Sequence, residues 1–150
     1  MFQIRHATAQ DIPSIHRLIY ELAVFEKAPE QFILSQEQLL EDGFGANPKY
    51  ICFVAEQNQT IIGMSFCYVR YSTWKGPVLY LEDLIVNESY RRKGIGKALF
   101  QHTCGYASTN KYSRVQWQVL DWNQSAIDFY KHFNASFDPE WLNAWVEFNQ

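Results

Sequence analysis

The chain has 150 residues, of which 47% are hydrophobic, and this apolar content predicts a single domain over residues 1–150. Its formal net charge of −3 provides no general positive field, so the composition argues against a nucleic-acid partner. Three cysteines without C-x-x-C spacing indicate neither a disulfide framework nor a zinc site, and we expect no metal.

The first third of the chain predicts one strand followed by two helices. Residues 2–5 have strand character. Thr8 and Asp11 have the spacing of a capping box, and the apolar residues after them recur at helical intervals to about Phe25. Ser35, three residues before a glutamine, repeats the capping spacing ahead of a second, shorter helix.

The middle of the chain predicts three strands. Residues 50–56 and 61–71 are rich in β formers and flank a polar turn, which indicates an antiparallel hairpin. The Gly-Pro pair at 76–77 breaks the pattern, and residues 78–86 form the third predicted strand.

The last third predicts a helix over 96–108, a strand over 114–120, a helix over 123–133 and a strand over 144–148. No repeat or low-complexity segment interrupts this order. The mixed order of elements predicts an α/β fold, in which a central sheet has helices on both faces.

The hydropathy pattern predicts a cytoplasmic protein. Residues 1–6 lack the charged and then apolar pattern of a secretory signal. No apolar run approaches the roughly 20 residues that span a bilayer. We therefore expect no membrane partner.

A polar loop after the strand that ends at Val86 has the composition of a phosphate-binding segment. Four cations and two glycines fall within eight residues, Tyr90, Arg91, Arg92, Lys93, Gly94, Ile95, Gly96 and Lys97. Glycines let the backbone approach a ligand, and the unpaired N–H groups and dipole of a helix N-terminus favour negative charge. The loop fits neither the Walker motif nor the dinucleotide fingerprint. These features suit a pyrophosphate, and a solvated basic turn is the alternative.

A second motif, about one strand later, carries a family resemblance. It consists of Trp122, Asn123, Ala126, Ile127, Phe129 and Tyr130. Together with the Arg-Arg-Lys-Gly-Ile-Gly run, it resembles the GNAT superfamily of acetyl-CoA-dependent N-acetyltransferases. The resemblance implies a mixed, mostly antiparallel sheet with a splayed parallel pair of strands, and acetyl-CoA as co-substrate.

Three further segments resemble the diamine and polyamine acetyltransferase branch of that family, at 4–8, 39–45 and 79–83. Within the branch, residues 71–76 and 120–124 are most similar to the thialysine N-epsilon-acetyltransferases. Polyamine enzymes of the family carry an acidic residue where Ser72 stands, which argues against spermidine and spermine as preferred substrates. The resemblance implies acetyl transfer to the primary amine of a small molecule, by direct attack in a ternary complex.

The chemistry of acetyl transfer assigns roles to three residues. An ammonium group must lose its proton before the nitrogen attacks, and Glu82 is the predicted general base. Asp83 shares that role or is a structural carboxylate. By itself, the Phe-Tyr pair at 129–130 is typical of core packing. The resemblance implies instead that Tyr130 is the general acid, which protonates the departing coenzyme sulfur.

The resemblance also implies contacts with the coenzyme. A backbone N–H near the end of the strand is expected to bind the thioester carbonyl, within Leu84, Ile85 and Val86. Three later residues are expected to contact the coenzyme, namely Asn123, Tyr130 and Lys131. Asn123 also suits a helix N-cap, so both roles are compatible.

The predicted contacts with the amine substrate are acidic and aromatic. By resemblance, Glu26 and Glu30 join Glu82 in attracting the cationic substrate, and Trp74 forms a wall beside it. Solvated surface acids are the alternative interpretation for Glu26 and Glu30.

Three alternative functions stay open from sequence alone: a diamine or polyamine acetyltransferase, a protein N-acetyltransferase, and a non-catalytic sensor of acetyl-CoA. A sensor needs neither Glu82 nor Tyr130, so their joint presence favours an enzyme. The family resemblance and the aromatic residues near the C-terminus predict a homodimer, the latter being Trp141, Trp145 and Phe148.

Overall fold

The computed structural model describes residues 1–148, and its elements follow most of the predicted order. The helices are α1 (Ile12–Phe25), α2 (Gln36–Phe44), α3 (Ile95–Thr109) and α4 (Gln124–Lys131). The strands are β1 (Gln3–His6), β2 (Ile51–Gln57), β3 (Thr60–Ser72), β4 (Gly76–Val86) and β5 (Val115–Trp117). The chain divides into two compact units, Met1–Trp117, which contains the whole sheet, and Gln118–Gln150.

Local sequence signals explain where several elements begin. The capping box predicted at Thr8 and Asp11 is formed, with the Thr8 N–H donating to the Asp11 carboxylate at 2.8 Å. The Ser35 hydroxyl caps α2 by accepting from the N–H of the third residue after it. Asn58 and Gln59, which join β2 to β3, both have left-handed φ values, 51° and 63°, as a tight type I′ hairpin turn requires.

The sheet is mostly antiparallel and ends in one parallel pair. Its strand order is β1-β2-β3-β4-β5, with antiparallel pairing except between β4 and β5. The parallel pairing joins 79–81 to 115–117, whereas β4 continues to Val86. Among the described residues, β4 therefore has no strand neighbour on that side after Leu81. The mixed sheet implied by the resemblance is confirmed.

Helices cover both faces of the sheet, as predicted. Helices α1 and α2 pack on one face, here called the α1/α2 face, over a buried cluster that includes Ile15, Leu18, Leu39, Val54, Met64 and Ile85. Helix α3 packs on the other face over Phe53, Ala55, Ile62, Ile95 and Leu99. Each fully buried aliphatic side chain contributes roughly 1.5–3 kcal/mol to the stability of the folded state. These clusters therefore fix the position of β4, the strand that carries the predicted acids.

Three predictions about strands are corrected. The strand predicted over 144–148 is not formed, because none of the described strands pairs with this segment and a strand needs the hydrogen bonds of a neighbour. β5 ends at Trp117 instead of residue 120. The Gly-Pro pair at 76–77 does not precede β4 but begins it, since Gly76 takes a φ of 79° and pairs with Ser72.

Candidate active site

A β-bulge in β4 places two neighbouring carboxylates on one face of the sheet. Phe66 of β3 pairs with Asp83, and Cys67 pairs with Leu81, so Glu82 is an extra residue without a partner in β3. Side chains of a regular strand alternate between faces, and an extra residue breaks that alternation. Because Phe66 packs on the α1/α2 face, the bulge directs both acids to that face.

The third carboxylate of the site belongs to Glu26, the C-cap of α1. The helix ends in a Schellman motif, in which the N–H of Ala28 donates to the carbonyl of Ala23 at 2.9 Å. Lys27 takes the left-handed φ of 64° that this motif requires. The backbone that carries the Glu26 carboxyl group is therefore fixed by hydrogen bonds, although the residue is exposed.

The charges of Glu26 and Glu82 act on Asp83, and the charge of Glu82 acts on Glu26, so these three carboxyl groups lie close together. Burial first, and then the charges of Glu82 and Glu26, raise the pKa of Asp83 to about 7. Burial and the charge of Glu82 also raise the pKa of Glu26. We call Glu26, Glu82 and Asp83 the acidic cluster. It is suited to bind a cationic amine and to accept a proton from it near neutral pH.

Two tyrosines and an arginine continue the α1/α2 face beyond the acidic cluster. Tyr68 and Tyr80 are cross-strand partners with ring centroids 5.2 Å apart. The guanidinium carbon of Arg70 lies 5.7 Å from the Tyr80 centroid. Burial, and then the charge of Glu82, raise the pKa of both tyrosines. Sequence reasoning missed these three residues, because only the β3–β4 register shows that they share a face with Glu82.

The cationic loop at 90–97 reaches the N-terminus of α3 through two left-handed residues. Arg92 has a φ of 64°, and Gly94, the N-cap of this 15-residue helix, has a φ of 81°. A Cβ on Gly94 would meet no atom within 4 Å, so glycine is needed there for its φ and not for space. The first-turn N–H groups of α3 have no partner within the helix. They are available to an anion together with the cations of the loop.

One cation of this loop connects it to the region of the acidic cluster. The Arg91 Nε donates to the carbonyl of Val86 at 3.1 Å, and its guanidinium carbon lies 5.5 Å from the centroid of Phe25. Phe25 is the last residue of α1 and directly precedes Glu26. Lys93 is also engaged, with its Nζ 5.4 Å from the ring centroid of the loop's tyrosine. The cationic loop therefore lies near the acidic cluster, where α1 and β4 end.

The predicted thioester-binding segment is Leu84, Ile85 and Val86. Leu84 and Val86 pack toward α3, while Ile85 is buried on the α1/α2 face. Their side chains therefore belong to the two apolar clusters. What this segment offers to a ligand is its backbone, which lies beyond the end of the parallel pairing with β5.

Two residues predicted to contact the substrate, Glu30 and Trp74, are not placed beside the acidic cluster in the described part of the chain. Glu30 is exposed in a short 3-10 turn and is not among the charges that act on Asp83. Trp74 is 92% exposed in the turn between β3 and β4. Glu82 lies six positions after Gly76, the residue beside this turn, which corresponds to about 20 Å along a strand. The roles of Glu30 and Trp74 stay predictions.

The remaining predicted residues lie on α4, in the second unit. The Asn123 side chain accepts from the N–H of Ala126 at 3.3 Å, which confirms the predicted N-cap. Tyr130 is 8% exposed, and its ring centroid lies 5.2 Å from that of Phe129. Lys131 is exposed. The coenzyme contacts of Asn123, Tyr130 and Lys131, and the acid role of Tyr130, stay predictions.

Comparison with known proteins decides the family. The family model of the acetyltransferase (GNAT) family matches residues 12–135. The chain belongs to the GNAT family. It is therefore an acyl-transferring enzyme by family, and the resemblance inferred from the two motifs is confirmed.

Similar proteins place this GNAT chain near the enzymes that its motifs resemble. It is 41% identical over 140 residues to a thialysine N-epsilon-acetyltransferase from Bos taurus, a match that covers 88% of this chain and 82% of the relative. It is 40% identical over 136 residues to spermidine/spermine N(1)-acetyltransferase-like protein 1 from Homo sapiens, covering 86% of this chain and 20% of that protein. An aminoglycoside acetyltransferase from an uncultured soil metagenomic sample shares the fold, with a TM-score of 0.80 at 22% identity over 99% of this chain and 97% of that one.

No described helix is long and apolar enough to cross a membrane. Among residues 1–148, no three or more histidine, cysteine or acidic side chains are grouped as a metal ion would require.

Proposed function

We propose that this GNAT enzyme transfers the acetyl group of acetyl-CoA to a primary amine of a small amino acid or diamine, with thialysine as the first candidate. The observation that carries the proposal is the acidic cluster, in which three carboxyl groups with interacting charges lie near the cationic loop. The similarity to a thialysine N-epsilon-acetyltransferase over most of both chains supports this choice of amine.

The same proposal assigns acetyl-CoA to the loop and to the end of β4. The first-turn N–H groups of α3 and the cations of the loop suit its pyrophosphate. The β4 backbone at 84–86 suits the thioester oxygen, because hydrogen-bond donors there stabilise the charge that develops on that oxygen. Acetyl-CoA itself supplies the activated acyl group. The family match spans both units, which supports treating residues 1–150 as one acetyltransferase domain.

In this proposal, a carboxylate accepts a proton from the substrate and a phenol donates a proton to the leaving group. Glu82 accepts the proton of the ammonium group, directly or through water, and the neutral nitrogen attacks the thioester carbon. Asp83, with its pKa of about 7, shares the proton within the cluster. The carbon–sulfur bond then breaks, and the Tyr130 hydroxyl donates a proton to the departing thiolate, the role that the family resemblance implies. The acylated nitrogen loses its second proton to solvent to give the neutral amide, and solvent reprotonates Tyr130.

The proposal includes a cytoplasmic homodimer. Three free cysteines, two of them buried, suit a reducing compartment. Apolar side chains near the C-terminus are at least 75% exposed, and association with a second copy would bury them: Trp141, Leu142, Trp145, Val146 and Phe148. Light scattering at micromolar concentration is expected to give twice the chain mass, and a monomer would contradict this part of the proposal.

The test of the function is acetyl-CoA-dependent release of free thiol with a panel of amines. The panel contains thialysine, lysine, putrescine, spermidine, an aminoglycoside and a peptide with a free amine. We expect the highest kcat/KM with thialysine or a short diamine. Preference for spermidine would favour the polyamine alternative, which the relative from Homo sapiens supports. Turnover of the peptide alone, or acetyl-CoA binding without turnover, would overturn the proposal.

A further inference from the structure

Arg70 is a cation that the proposed mechanism does not use, although it lies on the face of the acidic cluster. It is two residues from Tyr68 on β3, so the alternation of side chains places both on the α1/α2 face. Arg70 is exposed, and none of the ion pairs among the described residues includes it. Its charge influences Tyr68 and Tyr80, the same two tyrosines that Glu82 influences.

The two tyrosines separate opposite charges along this face. The Arg70 guanidinium lies over Tyr80, and Tyr80 precedes Glu82 by two residues of β4, about 7 Å along a strand. A guanidinium group, a pair of aromatic rings and a carboxylate therefore follow one another along this face. A molecule with a carboxylate at one end and an ammonium group at the other matches this order.

We propose that Arg70 binds the carboxylate of an ω-amino acid substrate while the acidic cluster binds the amine that is acetylated. Guanidinium groups bind carboxylates through two parallel hydrogen bonds. The ring of Tyr80 restricts the guanidinium before the substrate arrives, which lowers the entropy cost of binding. Arg70 would thereby select amino acids over diamines, because a diamine presents a second cation to it. This inference rests on the proposed function and specifies its substrate class.

Two matched substrates test this role of Arg70. Thialysine and bis(2-aminoethyl) sulfide differ only in the carboxylate, so the ratio of their kcat/KM values isolates recognition of that group. Arg70→Gln is expected to lower kcat/KM for thialysine about 10- to 100-fold, the usual effect of losing a charged hydrogen bond. It should leave kcat/KM for the sulfide unchanged or higher. Arg70→Lys is expected to restore part of the loss.

The control variant is Lys75→Gln, which removes an exposed cation from the nearby turn. It is expected to leave the substrate ratio unchanged. If Arg70→Gln lowers kcat/KM equally for both substrates, Arg70 has a structural role. If it leaves both kcat/KM values unchanged, Arg70 has no role. Either result overturns the inference. If neither amine is acetylated, the proposed function fails. Calorimetric binding of the two compounds to wild type and Arg70→Gln then decides the inference by itself.

Discussion

The cationic loop and the acidic cluster lie beside each other but are built in opposite ways. The loop is one continuous segment, and its shape depends on two left-handed residues, Arg92 and Gly94. The acidic cluster combines a helix end with two residues of a strand, and it depends on a register shift that no single segment reveals. A site formed by one segment can be identified from its composition, whereas a site formed by several elements cannot.

The two regions also differ in how they handle charge. The four cations of the loop are exposed, so solvent screens the repulsion between them. The acidic cluster brings three carboxyl groups together, and the pKa of Asp83 rises to about 7 as a result of burial and of this repulsion. The acidic cluster should therefore lower the stability of the native state above neutral pH, and the loop should not.

The largest expected effect is the loss of catalysis in Glu82→Gln, which separates the two regions by function. The amide cannot accept the proton of the ammonium group, so we expect kcat/KM for the amine to fall about 100-fold or more. The affinity for acetyl-CoA should not change, because the loop is intact. Steady-state kinetics and calorimetric titration measure the two quantities.

Glu37→Gln is the matched control for Glu82→Gln, since Glu37 is an exposed acid in the first turn of α2. It is expected to retain wild-type turnover. Equal activity of Glu82→Gln and Glu37→Gln would remove Glu82 from the mechanism and leave the proton to Asp83.

Asp83→Asn tests the cost of the acidic cluster to stability. The pKa of Asp83 is about 7 in the native state and lies near 3.9 in an unfolded chain. The native state therefore binds the proton more tightly than the unfolded chain does. The contribution of this carboxyl group to stability is lost as the pH rises from about 4 to about 7. At pH 8 we expect Asp83→Asn to raise the free energy of unfolding by up to about 4 kcal/mol. The gain should shrink toward pH 4, as urea unfolding across this range would show.

Asp42→Asn provides a control of opposite sign. Hydrogen bonds from Lys49 and then Gln38 lower the pKa of Asp42 in the native state, so its contribution is present above the unfolded pKa and is lost as the pH falls. Removing this charge should not stabilise the protein at pH 8. If Asp83→Asn also fails to stabilise it there, Asp83 does not carry a buried charge.

The sequence predicted most elements of the fold because their signals are local. The capping residues Thr8 and Ser35 mark the beginnings of helices, and the polar turn before β3 marks a hairpin. The strand predicted over 144–148 was wrong because β propensity alone does not supply a neighbouring strand. The length of β5 was wrong for the same reason, since its partner β4 pairs with it only as far as Leu81.

The candidate site was predictable in part. The loop could be found from composition, the pair of acids in β4 from the chemistry of acetyl transfer, and Glu26 from the family resemblance. The sequence could not show the bulge at Glu82, because a bulge is a property of two paired strands. For the same reason, Tyr68, Tyr80 and Arg70 looked like ordinary strand residues.

Gly94→Ala is expected to weaken the loop without affecting the acidic cluster. Alanine at a φ of 81° costs about 1–2 kcal/mol, although its Cβ would meet no atom within 4 Å. We expect a rise of up to about 10-fold in the Kd for acetyl-CoA and a lower Tm. Gly105→Ala is the control: Gly105 lies inside α3 with open space around it, so alanine should stabilise the helix by up to about 1 kcal/mol. Equal behaviour of the two variants would show that the left-handed conformation at Gly94 is unimportant.

Ser72→Asp is expected to have the smallest effect, and it extends the comparison to the far end of the α1/α2 face. The Ser72 hydroxyl accepts from the N–H groups of Trp74 and Lys75 at 3.3 and 3.1 Å, and an aspartate can keep this turn. Ser72 is two residues from Arg70 on the same strand and face, so the new carboxylate would pair with the guanidinium and compete with the substrate. An exposed ion pair is worth up to about 1 kcal/mol, which predicts a loss of up to about fivefold in the preference for thialysine over bis(2-aminoethyl) sulfide.

The effect of Ser72→Asp should disappear when Arg70→Gln is already present, because the carboxylate then has no guanidinium to occupy. A double-mutant cycle on the ratio of the two kcat/KM values measures this coupling. A shift of equal size in both backgrounds would mean that the carboxylate attracts the second amine of the diamine directly. A shift that depends on Arg70 would instead mean that the acid found at this position in the polyamine enzymes can act by neutralising a carboxylate-binding cation.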